Sequence, residues 1–281
     1  MKITTSGFLY KPVTYNSTTN QQPHRTYEAK DSVAFKSKLT FLNNDSNYEK
    51  EVIHREVRND VLGYWFEIIN STIKNLCICN AVNRQGDYLE ADSKIVDSVV
   101  EGDIEADGIS PLIIEDSEVC GDVYTNEEGK KIVLSNHTTL KQDLLGSSKG
   151  HTEFEVSDGS VVMGNVVCGN FYERCTLPEV VVSNKSRIDG KIIMASDTGR
   201  ITVDNAEVGE ICFDALVTTT KINNPIVKIK NNGLIKGDVK FWNKRGRLII
   251  ETGSSVKGNI ENADVTYVDK DGTALKEIAK D

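Results

Sequence analysis

The residues of this chain best placed to do chemistry recur at one position. Asp103, Asp122, Asp143, Asn165, Lys191, Glu210, Asp238 and Asn259 each follow a glycine, or its equivalent, in a repeated phrase. Three successive carboxylates brought into one column would offer oxygen ligands to a hard cation such as Ca²⁺. The same column carries a lysine and only one carboxylate per repeat, which suits polar residues that stabilise a corner and face water. No metal is assigned on this pattern. Six other residues have types that bind rather than react: Phe171, Tyr172 and Arg174 in one long irregular stretch (167–178), Phe213 in another (212–225), and Trp242 with Arg245 beside Lys244. Aromatic residues and arginine are enriched at contact hot spots, so these six are the candidate partner-binding residues. A tryptophan beside cations could equally stack on a sugar ring, and alternation from Val239 would turn one of Phe241 and Trp242 inward.

Nucleophilic chemistry has thinner support. His137 and His151 could meet Cys168 or Cys175, but no nucleophile elbow or third orienting group accompanies them. Cys77 and Cys79 are separated by one residue, not the two of a zinc knuckle, and none of the four histidines follows at ligand spacing. Phosphate loops and dinucleotide fingerprints are absent. No catalytic residue and no cofactor is expected, and six cysteines in 281 residues read as reduced, buried thiols rather than a disulfide scaffold.

The elements that must position these residues follow from the phrase itself. Val100-Glu101-Gly102-Asp103-Ile104 recurs around Gly121, Gln142, Gly164, Gly190, Gly209, Gly237 and Gly258, at intervals of 19, 21, 22, 26, 19, 28 and 21 residues. Repetition on this scale marks a solenoid or a propeller. About eight residues before each glycine lies a β-branched run ending in a polar corner, for example Ile132-Val133-Leu134-Ser135-Asn136-His137 and Ile201-Thr202-Val203-Asp204-Asn205-Ala206. Asn and Asp tolerate left-handed dihedrals at such corners. Each coil therefore reads as strand, corner, strand and variable return. The uneven intervals break the strict hexads of a left-handed β-helix, and blades of about 40 residues, as in a propeller, do not fit. The expected fold is all-β: a right-handed parallel β-helix over 71–268. Glu207 falls where alignment on Gly209 asks for an inward apolar residue.

Around the repeat, residues 1–30 are rich in Ser, Thr, Asn and Gln and bury too little to offset their ordering entropy. Residues 31–70 read as a short strand (Val33 to Phe41) and an amphipathic helix over 47–69, begun by the Ser46/Glu49 capping box and covering the open end of the solenoid. Residues 269–281 read as a C-terminal cap or tail.

Composition excludes some partners. Net charge is −9, with +4 on residues 1–44 and therefore −13 on the rest, so the body repels a phosphate backbone and no nucleic-acid partner is expected. No run of eighteen apolar residues exists, so neither a membrane span nor a classical export signal is expected.

The stretch from Val99 to Val123, with Val100-Glu101-Gly102-Asp103-Ile104 followed by Leu112-Ile113-Ile114 and Val119-Cys120-Gly121-Asp122-Val123, resembles the coil repeat of bactofilins, bacterial polymer-forming β-helix proteins. The resemblance implies the fold and a capacity for self-association. Against it, the coils here are long and uneven and Gln142 replaces a glycine. The expected function is that of a non-enzymatic β-helix scaffold binding another macromolecule, foremost a protein, through its long return loops. One alternative is a type III secreted bacterial effector, because the polar N-terminal segment resembles the signals of that class; the protein is then cytoplasmic or exported by that non-classical route. The other is a pectate-lyase-like protein that binds or cleaves polysaccharide, for which the acidic and basic residues are scattered rather than clustered.

Overall fold

In the computed structural model, residues 38–42, 51–53, 65–70, 72–73, 76–78, 93–106, 111–126, 130–146, 151–169, 178–195, 198–214, 225–242 and 246–275 are described. They belong to a unit spanning residues 34–281. Every described element is a β-strand, and every strand pairing is parallel apart from one isolated bridge. None of the described residues forms a helix long and apolar enough to cross a membrane.

The strands stack into three ladders. The first face is an eleven-stranded sheet that takes one strand from each coil, from Lys38–Leu42 through Leu112–Glu115 and Arg200–Asp204 to Ala263–Val268. The second face carries Val99–Val100, Glu118–Val119, Thr139–Leu140 and Val161–Val162, and the third carries Ile104–Ala106, Val123–Tyr124, Leu144–Gly146 and Val166–Cys168. The strands Arg187–Met194 and Glu207–Phe213 run across both. This is the parallel coil architecture the repeat predicts, and it is consistent with a β-helix. Along the third face Ile104, Val123, Leu144, Val166, Ile192, Ile211, Val239 and Ile260 pair in succession, at offsets of 19, 21, 22, 26, 19, 28 and 21 residues. Those are the intervals of the glycine phrase.

Alternation then builds the interior, because neighbouring side chains on a strand point to opposite faces. Val100, Ile104, Leu112, Ile114, Val119 and Val123 from two adjacent coils are all fully buried in one continuous core. Eight corners after the first face place an Asn or Asp in the left-handed region, at Asn70, Asp97, Asp116, Asn136, Asp158, Asn184, Asn205 and Asn231, whereas the corner after Glu251 uses Gly253. Their short polar side chains lower the penalty that φ > 0 imposes on other L-residues.

Two expectations are corrected. Over the part of 47–69 that is described, Glu51–Ile53 and Trp65–Ile69 are strands, not helix. They pair in parallel with Leu76–Ile78 and with Lys38–Leu42 and Ser93–Val96. Short apolar runs satisfy helix and strand spacing alike, and ladder pairing decides between them. Residues 43–50 and 54–64, like the segment 1–30 and the tail beyond Leu275, lie outside the described residues. Glu207 does not enter the core: Val208 takes the inward place, fully buried opposite Ile188, because a register irregularity between Ile188 and Lys191 leaves the Gly209 coil one residue shorter. Glu207 faces water and pairs with Lys236 at 2.7 Å.

Candidate functional site

The acidic column lies on the corner between the second and third faces, and glycine makes that corner possible. The Gly121 N–H donates to the carbonyl of Gly102 at 3.0 Å, and the Gly258 N–H to that of Gly237 at 3.1 Å. A Cβ on Gly121 would lie 2.6 Å from the Gly102 carbonyl oxygen and 2.2 Å from Asp103 Oδ1. Close backbone approach, not an unusual dihedral, is what requires glycine here.

The residue after each glycine then bridges coils. Asp103 Oδ1 accepts the N–H of Asp122 at 2.8 Å, Asp122 Oδ1 that of Asp143 at 2.9 Å, and Asp143 Oδ1 that of Asn165 at 2.6 Å. Asn165 Oδ1 accepts from Lys191 at 3.0 Å, and Asp238 Oδ1 from Asn259 at 2.7 Å. A carboxylate that accepts a main-chain N–H satisfies a donor the corner would otherwise leave open. Burial pushes the Asp122 carboxyl upward against the N–H of Asp143, and the flanking carboxylates of Asp103 and Asp143 add to the rise. The column is thus a set of rungs. Among the described residues no group of three or more His, Cys, Asp or Glu is arranged to hold a metal ion.

A second polar ladder was not read from the sequence. Ser98, Ser117, Thr138, Ser160 and Ser186 follow the left-handed corner in successive coils, and all are buried. Ser117 Oγ accepts the N–H of Ser98 at 3.0 Å and donates to the Glu115 carbonyl at 2.6 Å, while Thr138 Oγ1 lies 2.8 Å from the Ser135 carbonyl and 2.9 Å from that of Ile114. The signal was a Ser or Thr one or two residues after Asp97, Asp116, Asn136, Asp158 and Asn184. Hydroxyls are common in loops, so that signal is weak without the register.

Of the six candidate partner-binding residues, Trp242 is exposed at 39% and its main-chain N–H donates to the Phe213 carbonyl at 3.0 Å. Phe213 is corrected. It ends the strand Glu207–Phe213 with 2% exposure and stacks on Phe241 at a centroid distance of 4.9 Å and an interplanar angle of 13°. Strand alternation carries both rings into the core, where they gain burial and an aromatic contact. Phe171, Tyr172, Arg174 and Arg245 lie outside the described residues.

No nucleophile is assembled among the described groups. Cys168 is fully buried. Burial raises the Cys120 thiol, and the Glu118 carboxylate 3.5 Å away raises it further, which works against a thiolate. His137 Nδ1 lies 2.9 Å from the Asp158 carbonyl, and His151 Nε2 lies 2.7 Å from Glu153 Oε1, each with a local partner rather than a cysteine.

The surface with an unmet physical demand is the last coil. Val265 pairs with Leu248, Tyr267 with Ile250 and Ile260 with Val239, so they occupy core positions. Leu248 and Val239 are fully buried and Ile250 is 4% exposed, whereas Val265, Tyr267 and Ile260 are exposed at 36%, 54% and 36%. The chain beyond covers one corner: the Leu275 N–H donates to the Tyr267 carbonyl at 2.8 Å, and Ala274 bridges Val268 antiparallel. Comparisons with protein-family models, with curated proteins and with solved structures return no match to this chain.

Proposed function

We propose that the protein is a non-enzymatic scaffold, a right-handed parallel β-helix that works by binding another protein chain at the open end of its coil stack. The observation that supports this reading is the last coil, whose Val265, Tyr267 and Ile260 continue the core columns yet face water. Their strands also present a parallel-sheet edge, a template for pairing with a further strand. Exposed Trp242 stands on the preceding coil, where it can extend the contact as an anchor. The resemblance to bactofilins favours a further copy of the chain as the first partner at this end.

Sedimentation velocity over a wide concentration range tests the proposal. Association of the wild-type chain that weakens when Val265→Lys and Tyr267→Lys are combined is the expected result. A wild-type chain that stays single at every concentration overturns end-on assembly.

A further inference from the structure

The third face carries a feature that end-on assembly does not use. Its outward positions include, one per coil, Glu105, Tyr124, Leu145, Val167, Ile193, Cys212 and Lys240, paired in that order along the ladder, with Glu261 next after Lys240 and Cys77 paired before Glu105. The five central residues are apolar or weakly polar and half-buried, pointing away from the core between fully buried neighbours such as Leu144, Val166 and Ile192. With rungs about 4.8 Å apart, the apolar stripe runs about 19 Å. Neither of the other faces keeps such a run. On the first, Glu155 lies between Val133 and Val181, and on the second, Val161 is followed by Arg187 and Glu207.

The order of the stripe is self-complementary about Val167. Leu145 and Ile193 lie one rung to either side, Tyr124 and Cys212 two, and the charges Glu105 and Lys240 three. A two-fold axis through Val167, across the stack, lays two copies face to face and antiparallel. Each Glu105 then meets the partner's Lys240, each Tyr124 the partner's Cys212, and each Leu145 the partner's Ile193. A parallel arrangement would set Glu105 against Glu105 and Lys240 against Lys240, so charge selects the antiparallel one. At the neighbouring corner one pair attracts and two repel: Asp143 comes opposite the partner's Lys191, but Asp122 comes opposite the partner's Glu210 and Asp103 opposite the partner's Asp238, which further limits the strength of the contact. Lys240 already pairs with Glu261 at 3.2 Å, yet both side chains remain more than two-fifths exposed and can be shared across the contact.

We infer that the third face is a side-by-side dimer interface between two copies of this chain, antiparallel and centred on Val167. The stripe is narrower than the roughly 800 Å² per partner of a standard stable interface, so the dimer is weak and concentration-dependent.

The test uses the full chain carrying Val265→Lys and Tyr267→Lys, which closes the end-on route and keeps the two assemblies distinguishable. Its mass is followed by sedimentation velocity from about 1 µM to about 1 mM. The inference expects a two-chain species whose dissociation constant Val167→Glu raises at least about tenfold. The milder β-branched Val167→Thr serves if the glutamate variant does not fold. Glu105→Lys and Lys240→Glu each weaken the dimer, and their combination restores it, because each altered charge meets the other. A single chain throughout, a dimer indifferent to Val167, or charge variants that do not restore one another overturns the inference, and none of these outcomes bears on the last coil.

Discussion

Asp143 Oδ1 accepts the main-chain N–H of Asn165, 22 residues later, at 2.6 Å. Asn165 in turn offers its own Oδ1 to the N–H of Lys191, so an amide oxygen does in one coil what a carboxylate does in the coil before. Asp143→Asn is therefore expected to change unfolding free energy by less than about 0.5 kcal/mol, while Asp143→Ala, which leaves that N–H without its acceptor, costs about 1 kcal/mol. Urea denaturation measures both. Equal losses for the two variants would show that the acceptor is not what matters.

Asp122 gives the column a pH dependence. Burial raises its carboxyl, and a group whose folded value lies above its unfolded value favours folding as it takes up a proton, so its charged form opposes folding near neutrality. Asp122→Asn keeps the acceptor and removes the charge. The variant is expected to be slightly more stable than the wild type at pH 7, with the difference shrinking as pH falls through the raised Asp122 value. Thermal melts from pH 7 into the acid range check this, and a difference that grows on acidification contradicts it.

At Gly164 the obstacle is a neighbour, whereas at Gly272 it is a dihedral. A Cβ on Gly164 would lie 2.6 Å from the Gln142 carbonyl oxygen and 2.3 Å from Asp143 Oδ1, whereas Gly272, at φ +80°, has nothing within 4 Å of the added carbon. Gly164→Ala must push stacked coils apart and is expected to cost about 1–3 kcal/mol. Gly272→Ala meets only left-handed strain, of about 1 kcal/mol. Chemical denaturation of the two variants should rank them in that order.

Phe241 fills the core between Phe213 and Gly246, where a Cβ on the glycine would fall 1.9 Å from the ring. Phe241→Ala is expected to cost about 3–5 kcal/mol, and Gly246→Ala is expected to destabilise through the opposite fault, overpacking. Trp242→Ala, one residue away and exposed, should leave the melting temperature within a degree or two of wild type. A Trp242 loss comparable to that of Phe241 would place the wrong ring inside.

Much of this architecture was legible before any coordinates. The glycine phrase gave the third-face register residue for residue, because an inward apolar residue, a pinched corner and a bridging polar side chain are all local demands that recur in every coil. Asn and Asp at the other corner were legible for the same reason. What failed depended on long-range pairing. Trp65–Ile69 has apolar residues at helical spacing but extends the first face, and Phe213 looked like loop until its pairing with Phe241 across 28 residues put both rings in one column. Val208 displaced Glu207 because the coil is one residue short, which spacing from Gly209 could not reveal. The outward stripe of the third face was hidden for a related reason: its members are scattered singly over about ninety residues and become neighbours only through the offsets.

Because the described strands of each coil pair with those of the coils directly before and after it, tension applied along the stack concentrates on whichever coil is outermost. Pulled from its C-terminus, the molecule should peel one coil at a time, each release adding about 70 Å of slack for about twenty residues. The Phe213–Phe241 pair, close to that end, would be the first strong catch in the force trace.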